Sequence, residues 1–299
     1  MQANKLMNLA QSKDYESILN VYQHHSIETI AEVADFLRET DVYNVAINLY
    51  QYLLEHEETP DFHYGIGQCY GKTYDYQTSL YHLDKAFCAS DRSVGANYYA
   101  YILERNFLMD KAAHWYRQAL QNGYANDLWT LSHYACFLEK DNQIEAAKQA
   151  YQDVLTKNPA YTWAVKRYAI FLLKQNDAAQ SMQVMQDALA QYPHNPFVKL
   201  NYLEYLIIRE MGEEYEAYLQ NIGYEELALP FQVLIDLFDY FWRYLLNNQH
   251  NDERVQAYYE KVKKIKDTIH RDFDDLNELL IAKNQDMTQW KQMIAALSS

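Results

Sequence analysis

Three small constellations in this 299-residue chain carry side chains with chemical potential. Residues 65–71 read Gly-Ile-Gly-Gln-Cys-Tyr-Gly, a G-x-G-x-x-x-G spacing that approaches a dinucleotide fingerprint. A phosphate cradle needs its glycines after a strand and at a helix N-terminus. Here the surrounding apolar period is helical, and Gly67 falls where two helices must approach closely, so packing explains it. His133 and Cys136 are three apart and could face one metal, but two ligands do not make a zinc site. Lys261, Lys263, Lys264, Lys266, His270 and Arg271 form a basic cluster. It belongs on the solvated face of a helix over about 252–270, or serves as a dock for an acidic partner. No nucleophile stands beside a recognisable general base, although triads assemble in space rather than in sequence. We therefore expect no catalytic residue, no metal site and no cofactor.

Composition limits the elements that could position these groups. The chain holds 7 Gly and 5 Pro but 29 Tyr. That is too few turn residues for the many tight turns of a β-sandwich or barrel. Long helices joined by short polar turns remain. With 49% hydrophobic and 22% charged residues the chain can bury a core. A net charge of −15 argues against nucleic acid and anionic membranes as partners, and suits basic ones. Cys69, Cys88 and Cys136 form no CxxC pair and read as buried small hydrophobes in a reducing compartment. The N-terminal residues have no apolar core of signal-peptide length, and no apolar run approaches the ~20 residues of a membrane span. The greasy stretch 227–238 is interrupted by Pro230, Gln232 and Asp236. The expectation is a soluble, cytoplasmic protein.

A period organises the sequence. Pro159 and Pro193 are 34 residues apart. Counting back from each gives Leu131, Tyr134, Ala135, Leu138, Ala147, Tyr151 and Val154, and Val165, Tyr168, Ala169, Leu172, Ser181, Met185 and Ala188, at identical spacings. Further copies run from Ala96 (Tyr99, Ala100, Leu103, Ala112, Tyr116, Ala119), from His63 (Ile66, Gly67, Tyr70, Ser79, Leu83, Ala86) and from Ile30 (Val33, Ala34, Leu37, Ala46, Tyr50, Leu53). The first four sites of a copy make one helical stripe and the last three another, so each copy is an amphipathic helix pair, A then B. Ala34, Gly67, Ala100, Ala135 and Ala169 allow A and B to touch. Asp41, Asp75, Asp110, Asp141-Asn142 and Asn176-Asp177 fall where N-caps of helix B are expected.

The eight positions Leu131 to Pro159 resemble the tetratricopeptide repeat, a 34-residue helix–turn–helix unit. The resemblance is clear over about 27–195. Residues 1–26 read as a divergent first hairpin, 196–223 as a decayed repeat, and 224–299 as a helical segment that caps the array, with stripes Val255, Tyr259, Val262, Ile265, Ile269 and Trp290, Met293, Ile294, Leu297. The resemblance implies an all-α superhelical solenoid whose A helices line a concave ligand groove. Carried over position by position, that groove presents Tyr64 and Gln68, Asn97 and Tyr101, Trp129, His133 and Cys136, then Trp163, Lys166, Arg167 and Ile170. Some relatives clamp a partner's C-terminal carboxylate with basic residues on successive A helices. Here only Asn97, Lys166 and Arg167 come close, so such a clamp is not expected.

Three readings follow. The first is a non-catalytic scaffold or adaptor binding a peptide or partner helix in the groove. The second is a peptide-sensing regulator, similar to pheromone sensors of some bacteria but without their DNA-binding helix-turn-helix. The third is an accessory subunit or enzyme using a pocket among the aromatic C-terminal helices around 231–244. Binding partner, pathway and oligomeric state are not encoded in the repeat.

Overall fold

Local signals start and stop the helices. Ser26, Thr59, Asp127 and Asn195 each accept a backbone N–H of the following first turn, and Pro60 and Pro196 then occupy first-turn positions. In a computed structural model that describes residues 3–88, 93–249, 251–265, 269 and 271–297, these signals produce helices and turns, with no strand among the described residues. Contacts divide the chain into two compact units, Met1–Ala150 and Tyr151–Ser299.

The first unit is a succession of hairpins. They are α1 (Ala3–Gln11) with α2 (Tyr15–Val21), α3 (Ile27–Glu39) with α4 (Tyr43–His56), and α5 (Pro60–Lys72) with α6 (Tyr76–Cys88). Next come α7 (Ala96–Arg105) with α8 (Met109–Ala119) and α9 (Leu128–Lys140), followed by α10 (Ile144–Lys157), which carries the division between units. The second unit pairs α11 (Thr162–Lys174) with α12 (Ala178–Gln191) and α13 (Pro196–Ile208) with α14 (Gly212–Asn221). It continues through α15 (Leu229–Tyr240), a π-helical turn (Phe241–Leu246), α16 (Asp252–Val262), α17 (Asp274–Ala282) and α18 (Thr288–Ala296). Residues 196–223, expected as a decayed repeat, thus form a complete hairpin.

The repeat positions do the packing they imply. Ala34, Ala100, Ala135 and Ala169 are fully buried, as are Tyr50, Tyr116 and Tyr151 to within a percent. Each large apolar side chain so buried contributes about 1.5–3 kcal/mol. At two copies the contact is polar: Ser79 Oγ donates to the Gly67 carbonyl at 2.6 Å, and Ser181 Oγ to the Ala169 carbonyl at 2.7 Å. Gly67 leaves no room for a Cβ, which would sit 2.9 Å from Leu83 Cγ. The fingerprint-like glycine therefore marks a helix contact within α5, as the period predicts.

The inter-helix turns differ from expectation. Asp75 and Asp177 do cap helix B. Asp41, Asn142 and Asn176 instead stand one residue before the N-cap position, in the left-handed region with φ between 58° and 63°. Equivalent turns place Lys13, Tyr74, Phe107 and Glu210 there as well. Asp110 lies inside α8, whose N-cap is Leu108. The short A-to-B turn needs one left-handed residue to reverse direction, and it stands immediately before the N-cap, as Tyr74 does before Asp75 and Asn176 before Asp177.

In the second unit a single apolar core joins α11–α14 to the C-terminal helices. Trp290, Met293, Phe238, Phe241 and Tyr258 are buried in it, and Leu297 nearly so. The α16 stripe differs from the expected one: Tyr258 is the buried residue, its hydroxyl donating to the Met293 carbonyl at 2.7 Å, while Val255, Tyr259 and Val262 are only half-buried. The helix also stops at Val262 rather than near 270.

Candidate functional site

The A helices of the first unit are joined side by side by hydrogen bonds. Arg38 Nη1 on α3 donates to Gln68 Oε1 on α5 at 2.8 Å, and Gln68 Nε2 donates to the Tyr64 hydroxyl at 2.9 Å. The Tyr98 hydroxyl on α7 donates to the Gln68 carbonyl at 3.2 Å, and Asn97 Nδ2 donates to Thr130 Oγ1 on α9 at 2.9 Å. The Tyr64 ring lies so close to Gly95 that a Cβ there would meet it at 2.1–2.4 Å. Gly95 also has φ +83°, so this N-cap of α7 has to be glycine.

Beside this polar row lies a ring cluster. Trp129 and His133 stack with centroids 3.9 Å apart, and Tyr101 meets Trp129 edge-on at 5.7 Å and His133 at 5.2 Å. Tyr98 extends it beneath Trp129, and Tyr76 reaches Tyr101, with the Arg105 guanidinium over the Tyr76 ring. Tyr64, Gln68, Asn97, Tyr101, Trp129 and His133 are all half-buried, neither core nor freely solvated. Burial foremost, then its hydrogen bond with Tyr76, pushes the Tyr101 hydroxyl well above its ordinary value, so it stays neutral near pH 7. Half-covered rings beside amide and guanidinium groups make a surface able to stack on side chains and bond extended backbone.

Two site residues expected from sequence are placed otherwise. Lys166 is buried, with Nζ 2.9 Å from Glu204 Oε1 and 3.4 Å from Asp275 Oδ2. Arg167 Nη1 bonds both oxygens of Asp275, at 3.2 and 3.4 Å. Arg271 completes the group by bonding Glu204 and Asn201. These cations answer carboxylates of their own unit, Lys166 buried and Arg167 half-buried. Trp163 is half-buried, and Ile170 and Cys136 are buried.

The basic cluster is likewise dispersed. Lys261 bonds Asp236, Lys263 pairs with Glu260, Arg271 is half-buried against Glu204, and Lys266 and His270 lie outside the described residues. Among the described residues no group of three or more His, Cys, Asp or Glu could hold a metal, and no helix is long and apolar enough to cross a membrane. Cys69 and Cys136 are buried, burial pushing the Cys69 thiol up to about 12, whereas Cys88 is exposed, contrary to expectation.

Sequence reading missed Arg38, Asp35 and Tyr98. Asp35 occupies the same repeat position as Gln68 and Tyr101, and accepts from the Tyr50 hydroxyl at 2.6 Å and from Arg38 at 3.0 Å. Extending the groove offset to the copy beginning at Ile30 would have found it.

Residues 138–200 match the tetratricopeptide repeat, while no curated protein matches the sequence. A tetratricopeptide repeat protein from Parabacteroides merdae ATCC 43184 is similar over 85% of this chain and 97% of its own, with a TM-score of 0.56 at 13% identity. YrrB, described as a TPR protein with an unusual peptide-binding site, aligns over 62% of this chain and 95% of its own, with a TM-score of 0.47 at 14% identity. PilF of Pseudomonas aeruginosa aligns over 75% and 97%, with a TM-score of 0.44 at 15% identity. At such identities the first likeness speaks for fold alone. Residues 138–200 thus carry the tetratricopeptide repeat, and the helix hairpins on either side of them give this chain the fold of tetratricopeptide-repeat proteins.

Proposed function

We propose that the protein is a non-catalytic scaffold or adaptor of the cytoplasm that holds a peptide or partner helix against the A helices of its first unit. Tetratricopeptide repeats generally mediate protein–protein interaction, and the face offered by Tyr64, Gln68, Asn97, Tyr101, Trp129 and His133 is the surface for it. The observation that carries this reading is the half-exposed Tyr101–Trp129–His133 cluster next to the Arg38–Gln68–Tyr64 row. Rings held in place by neighbours lose little entropy on binding, which is why aromatic anchors dominate interfaces. The net charge of −15 favours a partner segment with basic residues. Residues 224–299 serve to close the last hydrophobic face of the array, a reading supported by the core shared between α13 and the C-terminal helices.

The test is affinity co-purification with wild type, Tyr101→Ala and His133→Ala, each checked by circular dichroism. The proposal expects a discrete protein with the wild type and its loss from both variants while they remain helical. Unchanged recovery by both variants defeats it.

A further inference from the structure

A second site lies in the other unit, among helices the repeat does not specify. A cavity of about 520 Å³ opens between α15 and α16, within the range of small-molecule sites. Leu219, Ile235, Tyr240 and Ala257 supply its apolar lining. Tyr240 and Tyr244 stack with centroids 5.0 Å apart, and the Tyr240 hydroxyl is buried without a hydrogen-bond partner among the described residues.

Two ion-pair rungs cross the cleft. In one, Asp236 accepts from Lys261 Nζ at 2.6 Å and from the Tyr224 hydroxyl at 2.8 Å. In the other, Asp239 accepts from Arg243 Nε at 2.6 Å and from Arg254 Nη1. The π-helical turn Phe241–Leu246 carries Arg243 and Tyr244 into this wall. Such turns interrupt regular helix pairing and recur at functional sites.

Donors and acceptors are unequally used. Each carboxylate has both oxygens engaged, and Arg243 also bonds Glu216. The cations keep capacity: Arg254 retains Nε and Nη2, and Lys261 its third N–H, without partners among the described residues. Both remain reachable, with side chains 53% and 31% exposed. Gln249 and Asn251 also line the cleft. With its acids satisfied and its bases not, the cleft offers hydrogen-bond donors to an incoming acceptor.

We propose that this cleft binds a small organic anion, an aromatic or aliphatic body carrying one carboxylate, sulfonate or phosphate group. The body lies against Tyr240 and Tyr244, and the anionic group takes the open donors of Arg254 and Lys261. This site is independent of the partner-binding face.

The probes are 8-anilinonaphthalene-1-sulfonate and its uncharged counterpart N-phenyl-1-naphthylamine, titrated by fluorescence and calorimetry into the full-length protein. One-to-one binding of the sulfonate is expected, weakened about tenfold or more in Arg254→Gln and in Lys261→Gln. The uncharged dye should bind more weakly to the wild type and respond little to either change. Lys263→Gln, an equal loss of charge on the exposed side of the chain, should leave sulfonate affinity unaltered. Thermal melting of each variant separates lost binding from lost fold. Absence of saturable sulfonate binding, or equal affinity for both dyes, or sulfonate affinity untouched by both cleft substitutions, overturns the proposal.

Discussion

The A helices α7 and α9 of the first unit and α11 of the second carry the same repeat stripe but meet different neighbours. Around Tyr101, Trp129 and His133 the outward side chains touch one another and remain half-exposed. At α11 the outward Lys166 and Arg167 are covered by Glu204 and Asp275, the latter from α17. A repeat thus fixes which residues point away from a hairpin but not what lies over them. Coverage turns one such face into a buried ionic core and leaves the other as a surface.

Removing the cover should have the largest effect. Glu204 is fully buried between Lys166 and Arg271. Glu204→Leu leaves those cations without a shared counter-charge, and a loss of about 3–5 kcal/mol is expected in urea denaturation. A cost below about 1 kcal/mol would mean that the ionic core is not what secures α11 to α13 and α17.

Acidification sharpens the contrast. In the first unit His82 Nδ1 lies 2.8 Å from His63 Nδ1, whose Nε2 faces Glu58. Burial first, then His63 and Lys85, pushes the His82 ring down to about 4, and the rings of Tyr70 and Tyr81 flank it. A depressed histidine favours the neutral ring in the folded state. Its contribution is complete above the unfolded value near ~6.5 and is lost as pH falls towards 4. Solvent screening of this half-buried ring reduces the effect to about 1–2 kcal/mol. Burial alone would raise Asp275, but Lys166 and Arg167 hold it below its ordinary value. Its contribution is therefore present above about 4 and lost only below that. Between pH 6.5 and 5 the first unit should weaken while the ionic core of the second holds. Stability measured across this range should slope for wild type and flatten for His82→Gln; identical slopes would contradict the assignment.

The smallest effect lies in the turns. Phe107 has φ +61° and is 88% exposed, where the equivalent turns of later repeats use Asn142 and Asn176. Phe107→Asn relieves left-handed strain and should raise stability by about 0.5–1 kcal/mol, read as an upward shift in thermal midpoint. A downward shift would show that the exposed ring makes a stabilising contact.

The hairpins and their packing stripes were legible because both follow from short spacings within one copy. Ala34, Tyr50, Tyr116 and Tyr151 are buried where the period places them. The turns were legible only in part, since Asp41 and Asn142 serve backbone reversal rather than capping. Coverage of Lys166 and Arg167 was not legible at all. Glu204 is 38 residues from Lys166, and Asp275 is 108 from Arg167. No periodicity reports pairings of that range. The cleft between α15 and α16 was foreshadowed by the aromatic run 231–244, but its charged rungs depend on Arg254 and Lys261 reaching Asp239 and Asp236 across two helices.

The account rests on the uncovered face being where a partner sits. Site-specific photo-crosslinking tests this most directly, with p-benzoylphenylalanine in place of Tyr101 on α7 or in place of Tyr81, which is 56% exposed on α6. The account predicts one discrete protein adduct from position 101 and none from position 81. An adduct from position 81 alone, or equal adducts from both, would contradict it.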